Sequence, residues 1–134
     1  MYDFQSIIDC VTTAKPDVLA IYQFGSAGTQ YERPDSDIDV AILPTQTLSS
    51  EERLMLINKL MDATGRDFVD LVDLSDAPTV TIFEIITQGK RIYCKNEEQA
   101  EAFESLEFSK YVRLNEERAA IIHDVKARGS IYGQ

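Results

Sequence analysis

Hydrophobic positions recur with two different periods along the chain, and the change of period separates helices from strands. Apolar residues follow helical spacing near the N-terminus and again from Leu54 to Met61, where Ser49 and Glu52 fit a capping box and Gly65 fits a helix end. Three other runs are short, apolar and rich in β-branched residues, which is typical of buried strands. These predicted strands cover 18–24, 38–43 and 67–74.

The C-terminal half predicts two further helices separated by a short strand. Ser75 or Asp76 is the candidate N-cap of the first, Pro78 falls in its first turn and Gly89 ends it. The segment RIYCK predicts the strand, and the stretch from about 96 to 128 contains neither Gly nor Pro, which predicts one long helix or two stacked ones.

The order α-β-β-α-β-α-β-α predicts an α/β (or α+β) fold, with a small mixed sheet flanked by helices. We expect a single domain over 1–134, with its core at about 16–94 and a C-terminal helical extension at about 96–128.

Charge narrows the possible partners. The formal net charge of −10 opposes binding to a long nucleic acid, which depends on Lys and Arg neutralising phosphates. A basic protein or a cationic small molecule fits this charge better, although acidity can also serve solubility alone. No apolar run is long enough to span a membrane and no signal peptide is evident, so we expect a cytoplasmic protein.

Candidate chemistry begins where the second predicted strand starts. Asp37 and Asp39 flank Ile38, so their side chains share one face, about 6.6 Å apart along the backbone, while Ile38 points into the core. Two ionised carboxylates aimed at one space repel each other unless a cation lies between them. Magnesium ions prefer such oxygen ligands, but the D-x-D pattern also occurs on solvated strand edges.

A third acidic residue strengthens the interpretation. Asp70 lies between Val69 and Leu71 in a run that otherwise indicates burial, where an unpaired carboxylate would be costly. If the two strands are neighbours, Asp70 completes a cluster of three carboxylates. Asp73 is the competing candidate, but it lies on the opposite face near the strand end, beside Ser75, where a turn or capping role suffices. We therefore favour Asp70.

Gly25 and Ser26 directly follow the first predicted strand. Glycine allows close approach of the backbone to a ligand, and serine offers a hydroxyl and an N–H group to an anion. The pair predicts a phosphate-binding turn that faces the carboxylates, with an ordinary β-turn as the alternative. The sequence lacks GxxxxGK[ST], which excludes a P-loop, and its one histidine, His123, has no Ser or Cys context for a catalytic triad.

The spacing GS, ten residues, DxD resembles that of the nucleotidyltransferase superfamily of DNA polymerase beta. The segments FGS…RPDSDIDVAIL, DFVDLVDL and FEIITQGKRIY extend the resemblance from about Ile21 to Tyr93. A chain this short is similar to the minimal nucleotidyltransferase (MNT) antitoxins, which are encoded beside HEPN ribonuclease toxins. In that family the antitoxin transfers AMP from ATP to a tyrosine of the toxin and so neutralises it.

By position, the resemblance implies that Asp37 and Asp39 hold two Mg²⁺ ions on the triphosphate of ATP. It implies that Asp70 ligates the second ion and helps deprotonate the acceptor hydroxyl, while Gly25 and Ser26 hold the β- and γ-phosphates. Many relatives carry an Arg-Gly pair shortly after GS, whereas this chain has Thr29-Gln30. The phosphate charge would then be met by metals, backbone N–H groups, Arg33 or a basic residue of the partner.

The sequence is therefore consistent with three functions. The first is an Mg²⁺-dependent protein adenylyltransferase that acts as an antitoxin on a HEPN toxin, with no membrane or long nucleic acid as partner. The second is a nucleotidyltransferase that modifies a small molecule such as an aminoglycoside. The third is a non-catalytic antitoxin that neutralises its toxin by binding alone.

Overall fold

The structure is a computed structural model that describes residues 3–25 and 37–132, with side chains described up to residue 127. Within these residues, four helices and four strands follow one another in the predicted order, which confirms the mixed α/β fold. They are α1 (Phe4–Ala14), β1 (Ala20–Phe24), β2 (Ile38–Leu43), α2 (Ser50–Thr64), β3 (Val69–Asp73), α3 (Thr79–Gln88), β4 (Lys90–Cys94) and α4 (Glu97–Tyr132). The C-terminal segment is thus one long helix, and the single-domain division remains a prediction.

The four strands form one mixed sheet in the order β3-β2-β1-β4. β1 pairs antiparallel with both β2 and β4, whereas β2 and β3 run parallel. The parallel pair follows from the helical crossover between the two strands, since α2 carries the chain back to the end at which β2 began. β2 and β3 therefore both begin at the edge of the sheet where β1 ends.

Alternating side chains along the central strands pack into two hydrophobic cores, one on each face of the sheet. The first lies under α1 and α2, and it contains the buried residues Ile7, Val11, Val18, Ile21, Ile38, Val40, Ile42, Leu56, Leu60 and Leu71. The second lies under α3 and α4, and it contains Ala20, Tyr22, Ala41, Leu43, Leu74, Ile82 and Ile85. This period of two decides which polar side chains of a strand face the same way.

Local signals explain most helix ends. Ser49 and Glu52 form the predicted capping box of α2, and Gly65 ends that helix in the left-handed conformation. The capping prediction for α3 is wrong, because Pro78 occupies the N-cap and no side chain caps the helix. Ser75 instead donates both its backbone N–H and its hydroxyl to Asp73 Oδ1.

The helix α4 is fixed to the sheet by a carboxylate and then leaves it. Glu104 Oε2 accepts a hydrogen bond from Tyr22 Oη at 2.7 Å and from Arg91 Nη1 at 2.5 Å, which joins α4 to β1 and β4. Phe83 of α3 also stacks on the ring of Tyr111, with centroids 3.6 Å apart. Beyond this contact, the side chains of residues 115–127 are all exposed.

Candidate active site

Asp39 occupies the middle of the edge at which β1 ends and β2 and β3 begin. Across the sheet it pairs in register with Phe24 of β1 on one side and with Asp70 of β3 on the other. Ile38 is fully buried in the core beneath α1 and α2, as predicted, so Asp39 projects from the opposite face. Asp70 alternates with Val69 and Leu71 in the same way, and it therefore shares the face of Asp39.

The negative charges of Asp37 and Asp70 act on Asp39. The pKa of Asp39 is raised to about 6, first by burial and then by the negative charges of Asp70 and Asp37. Asp37 and Asp70 are exposed, whereas Asp39 is half-buried. Placing charge on Asp39 is unfavourable in this environment, and a bound cation would offset that cost.

Burial does not distinguish Asp70 as a site residue, contrary to the prediction. Asp70 is exposed rather than buried, so the burial cost expected from its apolar neighbours does not arise. The buried carboxylate of β3 is Asp73, at 3% exposure. Parallel pairing with β2, rather than desolvation, brings Asp70 next to Asp39.

Asp73 lies on the other face of β3 and performs the predicted turn role. Its Oδ2 accepts a hydrogen bond from the backbone N–H of Leu48 at 2.8 Å, and its Oδ1 accepts the two bonds from Ser75. These bonds tie the loop before α2 and the turn after β3 to the sheet, so the carboxylate serves the fold.

Gly25 connects the turn after β1 directly to Asp39, a contact that the sequence pattern did not predict. Its φ angle is +80°, and a Cβ atom at this position would lie 1.9 Å from Asp39 Oδ2 and 2.9 Å from Cγ. The carboxylate thus lies in the space that a side chain at residue 25 would fill. The glycine of the Gly-Ser pattern and the second aspartate of the D-x-D pattern are therefore adjacent.

The remaining residues of the predicted phosphate-binding site are not among those that the structure describes. Ser26 lies outside the described residues, as do Thr29, Gln30 and Arg33. The phosphate-binding role of Ser26 and the substitute for the missing arginine therefore stay predictions.

The donor set suits magnesium, although the described side chains do not converge. Asp37, Asp39 and Asp70 offer only carboxylate oxygens, which are the ligands that Mg²⁺ prefers. Among residues 3–25 and 37–132, no group of three acidic, histidine or cysteine side chains is close enough to hold a metal ion.

Comparison with known proteins decides the family. The family model described as "Polymerase beta, Nucleotidyltransferase" matches residues 5–98, a range that includes Gly25 and all three carboxylates. The chain belongs to the polymerase beta nucleotidyltransferase family. This nucleotidyltransferase is 41% identical over 112 residues to the protein adenylyltransferase MntA of Shewanella oneidensis, covering 84% of this chain and 79% of MntA.

Two solved structures extend the similarity to the whole fold. A chain of a crystal structure of a toxin–antitoxin with AMP-PNP aligns with a TM-score of 0.79 at 38% identity, covering 91% of this nucleotidyltransferase and 97% of that chain. A chain of the tri-AMPylated S. oneidensis HEPN toxin in complex with MNT antitoxin aligns with a TM-score of 0.74 at 38% identity, covering 91% and 94%. The resemblance to MNT-type nucleotidyltransferases is thus confirmed.

Proposed function

We propose that this chain is an Mg²⁺-dependent protein adenylyltransferase that transfers AMP from ATP to a tyrosine of a HEPN-type toxin and acts as its antitoxin. The observation that carries the proposal is the placement of Asp39 between Asp70 and the Gly25 turn at one edge of the sheet. The likeness to MntA supports the protein substrate, and the AMP-PNP complex of a similar structure supports ATP as the AMP donor.

The proposed reaction assigns one role to each described residue. The acceptor tyrosine oxygen forms a bond to the α-phosphorus, the bond from that phosphorus to the bridging oxygen breaks, and pyrophosphate leaves with the electron pair. Asp70 receives the proton of the hydroxyl, Asp37 and Asp39 would hold the Mg²⁺ ions, and Gly25 lets the phosphates approach the backbone. Bound Mg²⁺ would supply neutralisation of the phosphate charge.

The exposed half of α4 supports a protein partner. Ile121, Ile122 and Val125 lie on one side of the helix and are 62%, 54% and 60% exposed. A helix face with this apolar content is typical of a surface that another protein covers. We propose that the toxin contacts α4 here, and that its basic groups meet an acidic chain with a net charge of −10.

The proposed setting is the cytoplasm, where ATP and an intracellular ribonuclease are both present. Among the described residues, no helix has the length and apolar character needed to cross a membrane.

Transfer of labelled AMP tests the proposal. The purified chain, a cognate HEPN toxin, Mg²⁺ and α-labelled ATP should give label on a toxin tyrosine, and Asp39→Asn should abolish it. Asp62→Asn is the matched control, because it makes the same change on an exposed carboxylate of α2, the helix that covers the face of the sheet opposite to Asp39. Full neutralisation of the toxin by Asp39→Asn would support a binding antitoxin, and label on an aminoglycoside alone would support the small-molecule enzyme.

A further inference from the structure

A buried amide stands where the packing of the sheet does not require one. Gln23 of β1 is 4% exposed and lies in register with Val40 of β2 and Lys90 of β4. It alternates with Tyr22, so its side chain faces the core beneath α1 and α2, where Val40 is fully buried. Burying an amide costs free energy unless it is hydrogen-bonded, and an apolar side chain of equal size would pack here without that cost.

The partner of this amide explains its presence. Gln23 Nε2 donates a hydrogen bond to the backbone carbonyl of Phe24 at 2.5 Å. That carbonyl belongs to the peptide that joins Phe24 to Gly25, directly before the chain turns with a φ of +80°. On the opposite face of the sheet, the same turn lies against the Asp39 carboxylate.

We infer that Gln23 is a positioning residue, whose side-chain amide fixes the Phe24–Gly25 peptide and so the distance between the Gly25 turn and Asp39. The inference rests on the proposed function, because it assigns a role within the same nucleotide site. Gln23 acts through the backbone, from the face of the sheet away from the carboxylates, and touches no substrate.

Substitution by an apolar side chain of similar length separates positioning from packing. Gln23→Met keeps the buried volume and removes the amide donor. Losing one hydrogen bond that holds the turn should raise the KM for ATP about five-fold, with a smaller change in kcat and with the urea midpoint of unfolding retained. Gln5→Met is the control, because it makes the same change but removes an exposed amide hydrogen bond to Asp9 on the surface of α1.

Two results would overturn the inference. One is a KM for ATP in Gln23→Met equal to that of the wild type. The other is a loss of activity in Gln23→Met that its loss of stability fully accounts for. A measurement on the wild-type protein guards against a misfolded variant: the Gln23 side-chain N–H resonances should exchange slowly with water and shift when ATP and Mg²⁺ are added. Fast exchange without any shift would contradict the role.

The same experiments distinguish this inference from the proposed function. Calorimetric titration with ATP and Mg²⁺ needs no toxin, so it compares nucleotide affinity in the wild type and in Gln23→Met directly. Absence of AMP transfer by the wild type, with ATP affinity reduced about five-fold in Gln23→Met, would refute the transfer and retain the positioning role. Equal affinities in an active wild type would refute the positioning role alone.

Discussion

Replacing Gly25 by alanine places a methyl group inside the space that the Asp39 carboxylate occupies. The new Cβ would lie 1.9 Å from Asp39 Oδ2, so the carboxylate must withdraw by about 1.5 Å to reach an ordinary van der Waals separation of about 3.5 Å. Because misplacing a reacting group by about 1 Å can cost about 100-fold in rate, we expect AMP transfer to fall by about 100-fold.

Backbone strain accompanies the clash and must be measured separately. At a φ of +80°, alanine costs on the order of 1–3 kcal/mol of folding free energy relative to glycine. Gly65→Ala is the matched control, because Gly65 has a φ of +71° and a Cβ there would have no atom within 4 Å. It should lose similar stability while retaining wild-type transfer.

The assay combines initial rates of labelled AMP transfer to the toxin with urea denaturation of each variant. The expected result is comparable destabilisation of Gly25→Ala and Gly65→Ala, with the loss of transfer confined to Gly25→Ala. Equal transfer rates in the two variants would refute the claim that Gly25 makes room for the Asp39 carboxylate.

Three further predictions concern pH, the partner surface and the fold. Because the pKa of Asp39 is raised to about 6, the folded protein binds that proton more tightly than the unfolded chain does, so without Mg²⁺ its stability should fall as pH rises from 4 to 6. The rise in Tm that Mg²⁺ causes should be larger at pH 7.5 than at pH 5, and an equal rise at both pH values would contradict this prediction. Ile121→Asp should weaken toxin binding at least ten-fold in a calorimetric titration. Ala120→Asp is the control and should not weaken binding, because Ala120 lies about 140° around the helix from Val125. Equal losses of affinity would count against α4 as the toxin-binding surface. Asp73→Asn should lower the free energy of unfolding by about 1–3 kcal/mol, because three hydrogen bonds depend on its carboxylate, while AMP transfer by the folded protein persists; loss of transfer at full stability would place Asp73 in the site.

Local rules predicted much of the fold because most elements carry their own signals. The run from Ile38 to Leu43 matches β2 residue for residue, and the capping box at Ser49 and Glu52 is present as predicted. The predicted cap of α3 was wrong because Ser75 donates its hydrogen bonds to Asp73 instead. This competition can be predicted only when the positions of β3 and of the following turn are both known.

The candidate site shows a different limit. The pairing of Asp37 with Asp39 follows from the strand period alone, but the approach of Asp70 depends on the parallel register of β2 and β3. The contact of Gly25 with Asp39 depends on the antiparallel register of β1 and β2 and on the φ of +80° at Gly25, which no spacing in the sequence specifies. Gln23 carried one local signal, a polar residue within an apolar strand.

The most direct test of the central claim is mass spectrometry of the toxin isolated from cells that co-express it with this chain. We predict that the wild type adds AMP to a toxin tyrosine, and that the double variant Asp37→Asn, Asp39→Asn leaves the toxin unmodified and active as a ribonuclease. An unmodified toxin that the wild type still neutralises would contradict the account.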